Sequence, residues 1–203
     1  DTIKSHLSRN TKAIIVTHTF GFPAALDELL GIGVPIIEDC AHAIGAIYKG
    51  YPTGSKGIVS VFSLYATKMI TAGEGGMLCT SDEKVANAIE ELIAYDSQDI
   101  YKTRYNYKMS DLAAGLALSQ IGKLGFFVSR RREIAARYLD SFSSLPVIFQ
   151  RALSGTVSSY YRFVIRTSMA KDFIDFSQGE EIVCDKPVYK PLHHYFGRSG
   201  HDN

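Results

Sequence analysis

The sequence predicts an α/β protein: a mostly parallel central sheet flanked by helices, followed by part of a small α+β C-terminal domain. Three observations carry this. Short apolar runs recur at residues 13–16, 34–37, 58–64 and 77–79, as suits strands covered on both faces. Stretches with helical spacing alternate with those runs, which is the α/β order. Beyond Pro146 the periodicity weakens, so residues 1–145 read as a large domain and 146–203 as part of a smaller one.

Each element has its own signal. Ala13-Ile14-Ile15-Val16 is the first strand. Residues 23–32 carry Leu26, Leu29 and Leu30 at helical spacing, with Pro23 suited to a first turn. The second strand leads into Glu38 and Asp39. Glycines bound the run Met77-Leu78-Cys79, and Thr80-Ser81-Asp82-Glu83 reads as a capping box before Val85, Ile89, Leu92 and Ile93. From Ser110 two helices follow, marked by Leu112, Leu116 and Ala117, then Ile134, Tyr138 and Phe142. Residues 160–165 read as a further strand.

Composition excludes several classes. With 46% apolar and 21% charged residues and a net charge of +1, the chain has no disorder signature and no global field for nucleic acid or an anionic membrane. No apolar stretch approaches the roughly 20 residues that span a bilayer, and no basic-then-apolar leader opens the chain. Three cysteines without C-x-x-C spacing argue against a disulfide framework and fit a reducing cytoplasm. His193, His194 and Cys184 lack a third ligand at metal spacing, so no metal is expected. The arginines at 130, 131, 132 and 137 read as a solvated stripe pairing with Glu133.

The chemistry concentrates on two residues. Asp39 stands at a strand end, where open α/β sheets place their ligand crevice. Lys68 follows Val-Phe-Ser-Leu-Tyr-Ala-Thr and precedes Gly73-Glu74-Gly75-Gly76. A lysine able to form a Schiff base, with an acid that keeps a pyridine nitrogen protonated, is what pyridoxal 5'-phosphate asks of a protein. Ser63, five residues before the lysine, offers a hydroxyl to the phosphate, and the glycines let the backbone turn closely. Taken singly, each is bland: a surface lysine, a helix-capping acid, a turn. The glycines do not form the G-x-G-x-x-G of dinucleotide folds.

The motifs I-I-E-D-C-A-H-A-I-G-A, Y-K-G-Y-P-T-G-S-K-G and V-F-S-L-Y-A-T-K-M-I-T-A-G-E-G-G-M-L-C-T-S-D-E, in this order, resemble the DegT/StrS family of sugar aminotransferases, fold-type-I pyridoxal-phosphate enzymes. R-Y-N-Y-K-M-S-D-L-A-A-G-L-A-L-S-Q, R-R-R-E-I-A-A-R-Y and K-P-V-Y-K-P-L-H-H-Y-F continue the resemblance. It implies Lys68 as the Schiff-base lysine, Asp39 as partner of the ring nitrogen, Ser63 on the phosphate and His42 against the ring. Asn106 would reach the phosphate of a neighbouring subunit, which implies a homodimer with shared sites. Lys186, Tyr189, Lys190 and His193 would help to form the sugar-nucleotide pocket. The implied reaction moves an amino group from an amino acid such as glutamate to a nucleotide-linked keto-sugar. The family's dehydratase branch carries histidine where Lys68 stands, which favours transamination. The family also places a phosphate-binding segment before Thr11 that residues 1–10 do not resemble. The chain therefore reads as the middle of the enzyme, and an inert homologue acting as a binding partner is the second reading.

Overall fold

The pleat of the second predicted strand explains much of the architecture. The computed structural model describes residues 2–96, 99–188, 190 and 195. After a short helix α1 (Thr2–His6) come β1 (Ile14–Thr17), α2 (Leu26–Leu30) and β2 (Ile36–Asp39). A hairpin follows, β3 (Ile47–Tyr48) and β4 (Tyr51–Pro52), then β5 (Val59–Ser63) and β6 (Gly76–Cys79). The sheet order is β1-β2-β5-β6. β1 and β5 both run parallel to β2, pairing Val16 with Glu38 and Asp39 with Val61. β6 runs antiparallel to β5.

Successive side chains of β2 alternate between faces. Ile36 and Glu38 are buried while Ile37 and Asp39 are half-buried, so the strand delivers one acid to the core and the next to the opposite face. On the core side Val16, Leu26, Ile36 and Tyr48 pack together, with Ile14, Ala24 and Leu29 against them. Full burial of a side chain such as Leu26 contributes roughly 2 kcal/mol. The Tyr48 hydroxyl accepts a bond from the Asp27 backbone N–H at 3.1 Å, tying the hairpin to α2.

α3 (Glu83–Ile93), α4 (Asp111–Ile121) and α5 (Leu124–Ser141) follow the sheet. Asp82 caps α3, its carboxylate accepting from the N–H groups of Lys84 and Val85, while Thr80 bonds the Ile58 carbonyl instead. The cap is therefore a single aspartate rather than the expected box. Ser110 caps α4 through the Ala113 N–H. A second cluster, Leu64, Ile70, Ala72 and Ala117, joins the middle of α4 to the segment after β5.

Two expectations are corrected. The runs at 13–16 and 77–79 form strands, but Ile15, Met77 and Leu78 are exposed; an apolar run does not reveal how many layers cover it. The expected strand over 160–165 is largely a bend: only β9 (Ile165–Arg166) pairs, with β7 (Ile148–Phe149), while β8 (Thr156–Val157) joins β3. Tyr160 lies at φ 49°, and the backbone groups of 159–162 bond to Gly21, Phe20 and an arginine rather than to a strand.

A last helix, α6 (Ala170–Gly179), closes the described elements. The chain divides into two compact units, residues 1–143 with 151–163, and residues 144–150 with 164–203. Segment 151–163 thus returns to the first unit after a short excursion. Among the described residues no single helix is long and apolar enough to cross a membrane.

Candidate active site

The site is built on the carboxyl ends of β1, β2 and β5. Asp39 closes β2, and its Oδ1 accepts the Ala41 N–H at 3.0 Å. Its Oδ2 accepts the Thr17 hydroxyl from the neighbouring strand at 3.3 Å. A carboxylate offers about four acceptor positions, so these two bonds orient the acid and leave capacity for a further donor.

The adjacent acid does the opposite work. Glu38 is fully buried and saturated: Oε2 accepts from His18 Nε2 at 2.9 Å and Gly54 N–H at 2.8 Å, Oε1 from Lys56 N–H at 2.8 Å and Gly57 N–H at 2.6 Å. Burial alone would raise its pKa, yet the bonds from His18 and the three backbone donors hold it down at about 2. His18 Nδ1 accepts the Ala24 N–H at 3.0 Å. His18, Glu38 and Cys40 lie close enough to converge on one ion, but these bonds already occupy the imidazole and carboxylate atoms. Their role is to fix loop 54–57 and the end of β2, and with it Asp39.

Tight turns carry the chain from Asp39 to His42, with Ala43 and Ala46 bonding back to the carbonyls of Cys40 and Ala43. The His42 ring stacks on Tyr161, centroids 4.3 Å apart at 20°, and lies 6.0 Å from the ring of Phe20. Its Nδ1 is buried without a hydrogen-bond partner among the described residues. Burial lowers its pKa, the Lys68 and Arg162 charges lower it further, and Asp39 works in the other direction. These charges therefore share one neighbourhood around the ring.

Lys68 sits in a turn after β5. Its N–H bonds to the Tyr65 carbonyl at 2.9 Å, and the buried Met69 and Ile70 that follow anchor it. Bonds from Leu64 N–H to the Gly75 carbonyl and from Ala72 N–H to the Leu64 carbonyl close the loop. Gly75 lies at φ 127°, a conformation that favours glycine. The Lys68 Nζ lies 5.1 Å from the Tyr161 ring centroid and pairs with no carboxylate among the described residues.

Of the sequence-derived candidates, His42 and Lys68 meet at the Tyr161 ring, and Asp39 joins them through its charge on the His42 imidazole. Ser63 ends β5, half-buried, its Oγ accepting the Tyr65 N–H at 3.4 Å. Asn106 is exposed on the irregular stretch before α4, tied to α3 by the Tyr105 N–H to Leu92 carbonyl bond of 2.7 Å and by Lys102 and Arg104 on Glu91. Lys186 and Lys190 are exposed in the second unit. Tyr189 and His193 lie outside the described residues.

The sequence reading missed Tyr161, Thr67 and Arg162. Burial would raise the Tyr161 phenol, but a bond from Thr67 and the charges of Lys68 and Arg162 hold it below its ordinary value. It also misread the arginine stripe. Arg130 pairs with Glu133 at 2.9 Å as expected. Arg131 instead reaches the Tyr161 carbonyl at 2.9 Å, and Arg132 spans the carbonyls of Ser158 at 2.8 Å and Gly45 at 3.0 Å. Two of the arginines thus fasten segment 158–161 over the site. The guanidinium fork suits such two-point bonding; the repeated Ser158-Ser159-Tyr160-Tyr161 was the only hint.

The acid that ends β2, the histidine three residues beyond it and the lysine after the neighbouring β5 thus lie at the carboxyl ends of adjacent parallel strands of one α/β sheet. The chain belongs to the DegT/DnrJ/EryC1/StrS aminotransferase family, whose sequence model matches residues 1–199. Among solved structures it is similar to the aminotransferase TlmJ from Streptoalloteichus hindustanus, at 30% identity and a TM-score of 0.86, over 99% of this chain and 58% of that one. S. venezuelae DesV, solved in complex with a ketimine intermediate, matches at 25% identity and a TM-score of 0.91, over 98% of this chain and 57% of its own. DesI, solved in the presence of its TDP-sugar product, matches at 27% identity and a TM-score of 0.76, over 88% and 49%. The chain thus spans roughly half to three-fifths of the length of these relatives.

Proposed function

We propose that this chain carries the reacting core of a cytoplasmic, pyridoxal-phosphate-dependent sugar aminotransferase. The amino group passes from an amino acid, glutamate, to a nucleotide-linked keto-sugar. The observation that supports the reading is that the charges of Asp39 and Lys68 both act on the His42 imidazole, each of the three residues having bonding capacity to spare. The buried unpartnered Nδ1 of His42, the amine of Lys68 free of any carboxylate among the described residues, and the remaining acceptor positions of Asp39 fit a polar aromatic aldehyde.

When bound, the cofactor supplies an aldehyde that takes up and returns the amino group and a ring that accepts electrons. Asp39 holds a proton at the ring nitrogen, the opposite charges favouring the ionised acid. Lys68 Nζ holds the cofactor and, once released, moves the proton at the substrate carbon. His42 lies against the ring. Ser63 bonds the phosphate, and Asn106 reaches the phosphate of a neighbouring subunit. A homodimer also suits the apolar helix α4, whose Leu112 and Leu118 are 89% and 72% exposed. Lys186, Tyr189, Lys190 and His193 contribute to the sugar-nucleotide pocket, and the TDP-sugar of DesI supports that substrate class.

The test is transfer of label. With 15N-glutamate and a nucleotide-linked keto-sugar, we expect 15N in the sugar nucleotide and an equivalent of 2-oxoglutarate. A deoxygenated sugar without nitrogen, or no 2-oxoglutarate, contradicts the proposal.

A further inference from the structure

We infer that Tyr161 is a positioning residue for Lys68 and His42, an aromatic seat that keeps the freed lysine amine and the imidazole on one surface while the amino group is exchanged. The inference rests on the proposed function and adds a residue to it.

Four observations carry it. The Tyr161 ring is 6% exposed. It lies within 4.3 Å of the His42 ring and 5.1 Å of the Lys68 Nζ. An amine within about 6 Å of a ring centroid is attracted by the ring's quadrupole. The phenol also neighbours Thr67, the residue directly before the lysine, which helps to hold its pKa down, so ring and amine adjoin the same turn.

The backbone beneath the ring is pinned from three directions. Arg131 bonds the Tyr161 carbonyl at 2.9 Å. Ser159 N–H and the Ser158 hydroxyl bond the Gly21 carbonyl at 3.1 and 2.9 Å. Arg162 N–H reaches the Phe20 carbonyl at 3.4 Å. Gly21, at φ 92°, admits this approach because a Cβ there would lie 2.8 Å from the Tyr161 N. Such convergence holds a side chain rather than merely filling space. A lysine released from its aldehyde otherwise sweeps many rotamers and must find the reacting carbon again. A seat restricts that search.

The test compares wild type, Tyr161→Phe and Tyr161→Leu in the intact chain. Each is mixed with pyridoxal phosphate and cyanoborohydride, and the adduct at Lys68 is quantified by peptide mass spectrometry against the exposed Lys84. Tyr161→Phe keeps the ring and is expected within about twofold of wild type. Tyr161→Leu is expected to lose roughly fivefold at Lys68, the size of one such contact, with Lys84 unchanged. In parallel, the His42 proton resonances lose their ring-current shift in the leucine variant only, and the imidazole midpoint rises as water reaches it.

Equal trapping at Lys68 in wild type and Tyr161→Leu overturns the inference. No adduct at Lys68 in wild type overturns the proposed function, and this inference with it. If the leucine variant does not fold, the nuclear Overhauser effect between the Lys68 ε-methylene and the Tyr161 ring in wild type decides: its presence is expected and its absence overturns the assignment.

Discussion

Replacing Glu38 by glutamine should cost this fold more than any single surface change, because one carboxylate closes four bonds at the end of β2. Glutamine offers one acceptor oxygen and turns an NH2 toward two of the four donors. Whichever way it lies, two buried N–H groups meet another donor. Each such group costs about 1–3 kcal/mol, so the variant should lose roughly 3–5 kcal/mol. The acid limb gives an independent measure. The folded pKa of about 2 lies below the ordinary 4.5, so the stabilisation is present above about pH 4.5 and is lost as pH falls toward 2. A depression of that size is worth roughly 3 kcal/mol. Urea unfolding at pH 7 and then at steps down to pH 3 reads both quantities. We expect a steep acid loss in wild type and a shallower one in Glu38→Gln. A variant within 1 kcal/mol of wild type, with the same acid slope, refutes the reasoning.

Three further outcomes are expected. Arg132→Ala removes the bonds to the Ser158 and Gly45 carbonyls and should cost about 2–3 kcal/mol by thermal or urea unfolding; Arg132→Lys, unable to span both, should restore only part. Gly21→Ala places a Cβ 2.6 Å from Ser159 Oγ at φ 92°, costing about 1–3 kcal/mol and displacing Tyr161, which the His42 resonances report. Cys40, buried with its thiol pushed up to about 12 by burial and by Glu38, should resist iodoacetamide until the protein unfolds, whereas exposed Cys79 should label at once; early labelling of Cys40 contradicts the burial.

Much of the fold was legible because its strands are short, apolar and separated by glycine and proline. Ile14, Ile36, Val59 and Met77 all start or lie in the expected strands. What failed was information carried by partners distant in sequence. The aromatic stretch Tyr160-Tyr161-Arg162-Phe163 has the composition of a strand, yet its backbone bonds go to Arg131, the Phe20 carbonyl and the Ser158 hydroxyl. The same long-range bonding turned Arg132 from a solvated residue into a staple. Asp39 and Lys68 stood out because their residue types are costly to misplace and have a shared chemistry. Tyr161 did not, since one tyrosine among twelve acquires its place only when α5 and the end of β1 close on it. Glu38 was hidden by its neighbour: in Ile-Ile-Glu-Asp only the pleat decides which acid enters the core and which faces the site.

In the proposed reaction Lys68 is the residue that takes the aldehyde. The most direct measurement is the visible spectrum of wild type and Lys68→Ala with pyridoxal phosphate, before and after borohydride. Wild type should show an absorbance band that borohydride removes, leaving a stable mass increment on the peptide bearing Lys68, and Lys68→Ala should show neither. If Lys68→Ala keeps the band and still turns over, the aldehyde is held elsewhere and the assignment is wrong.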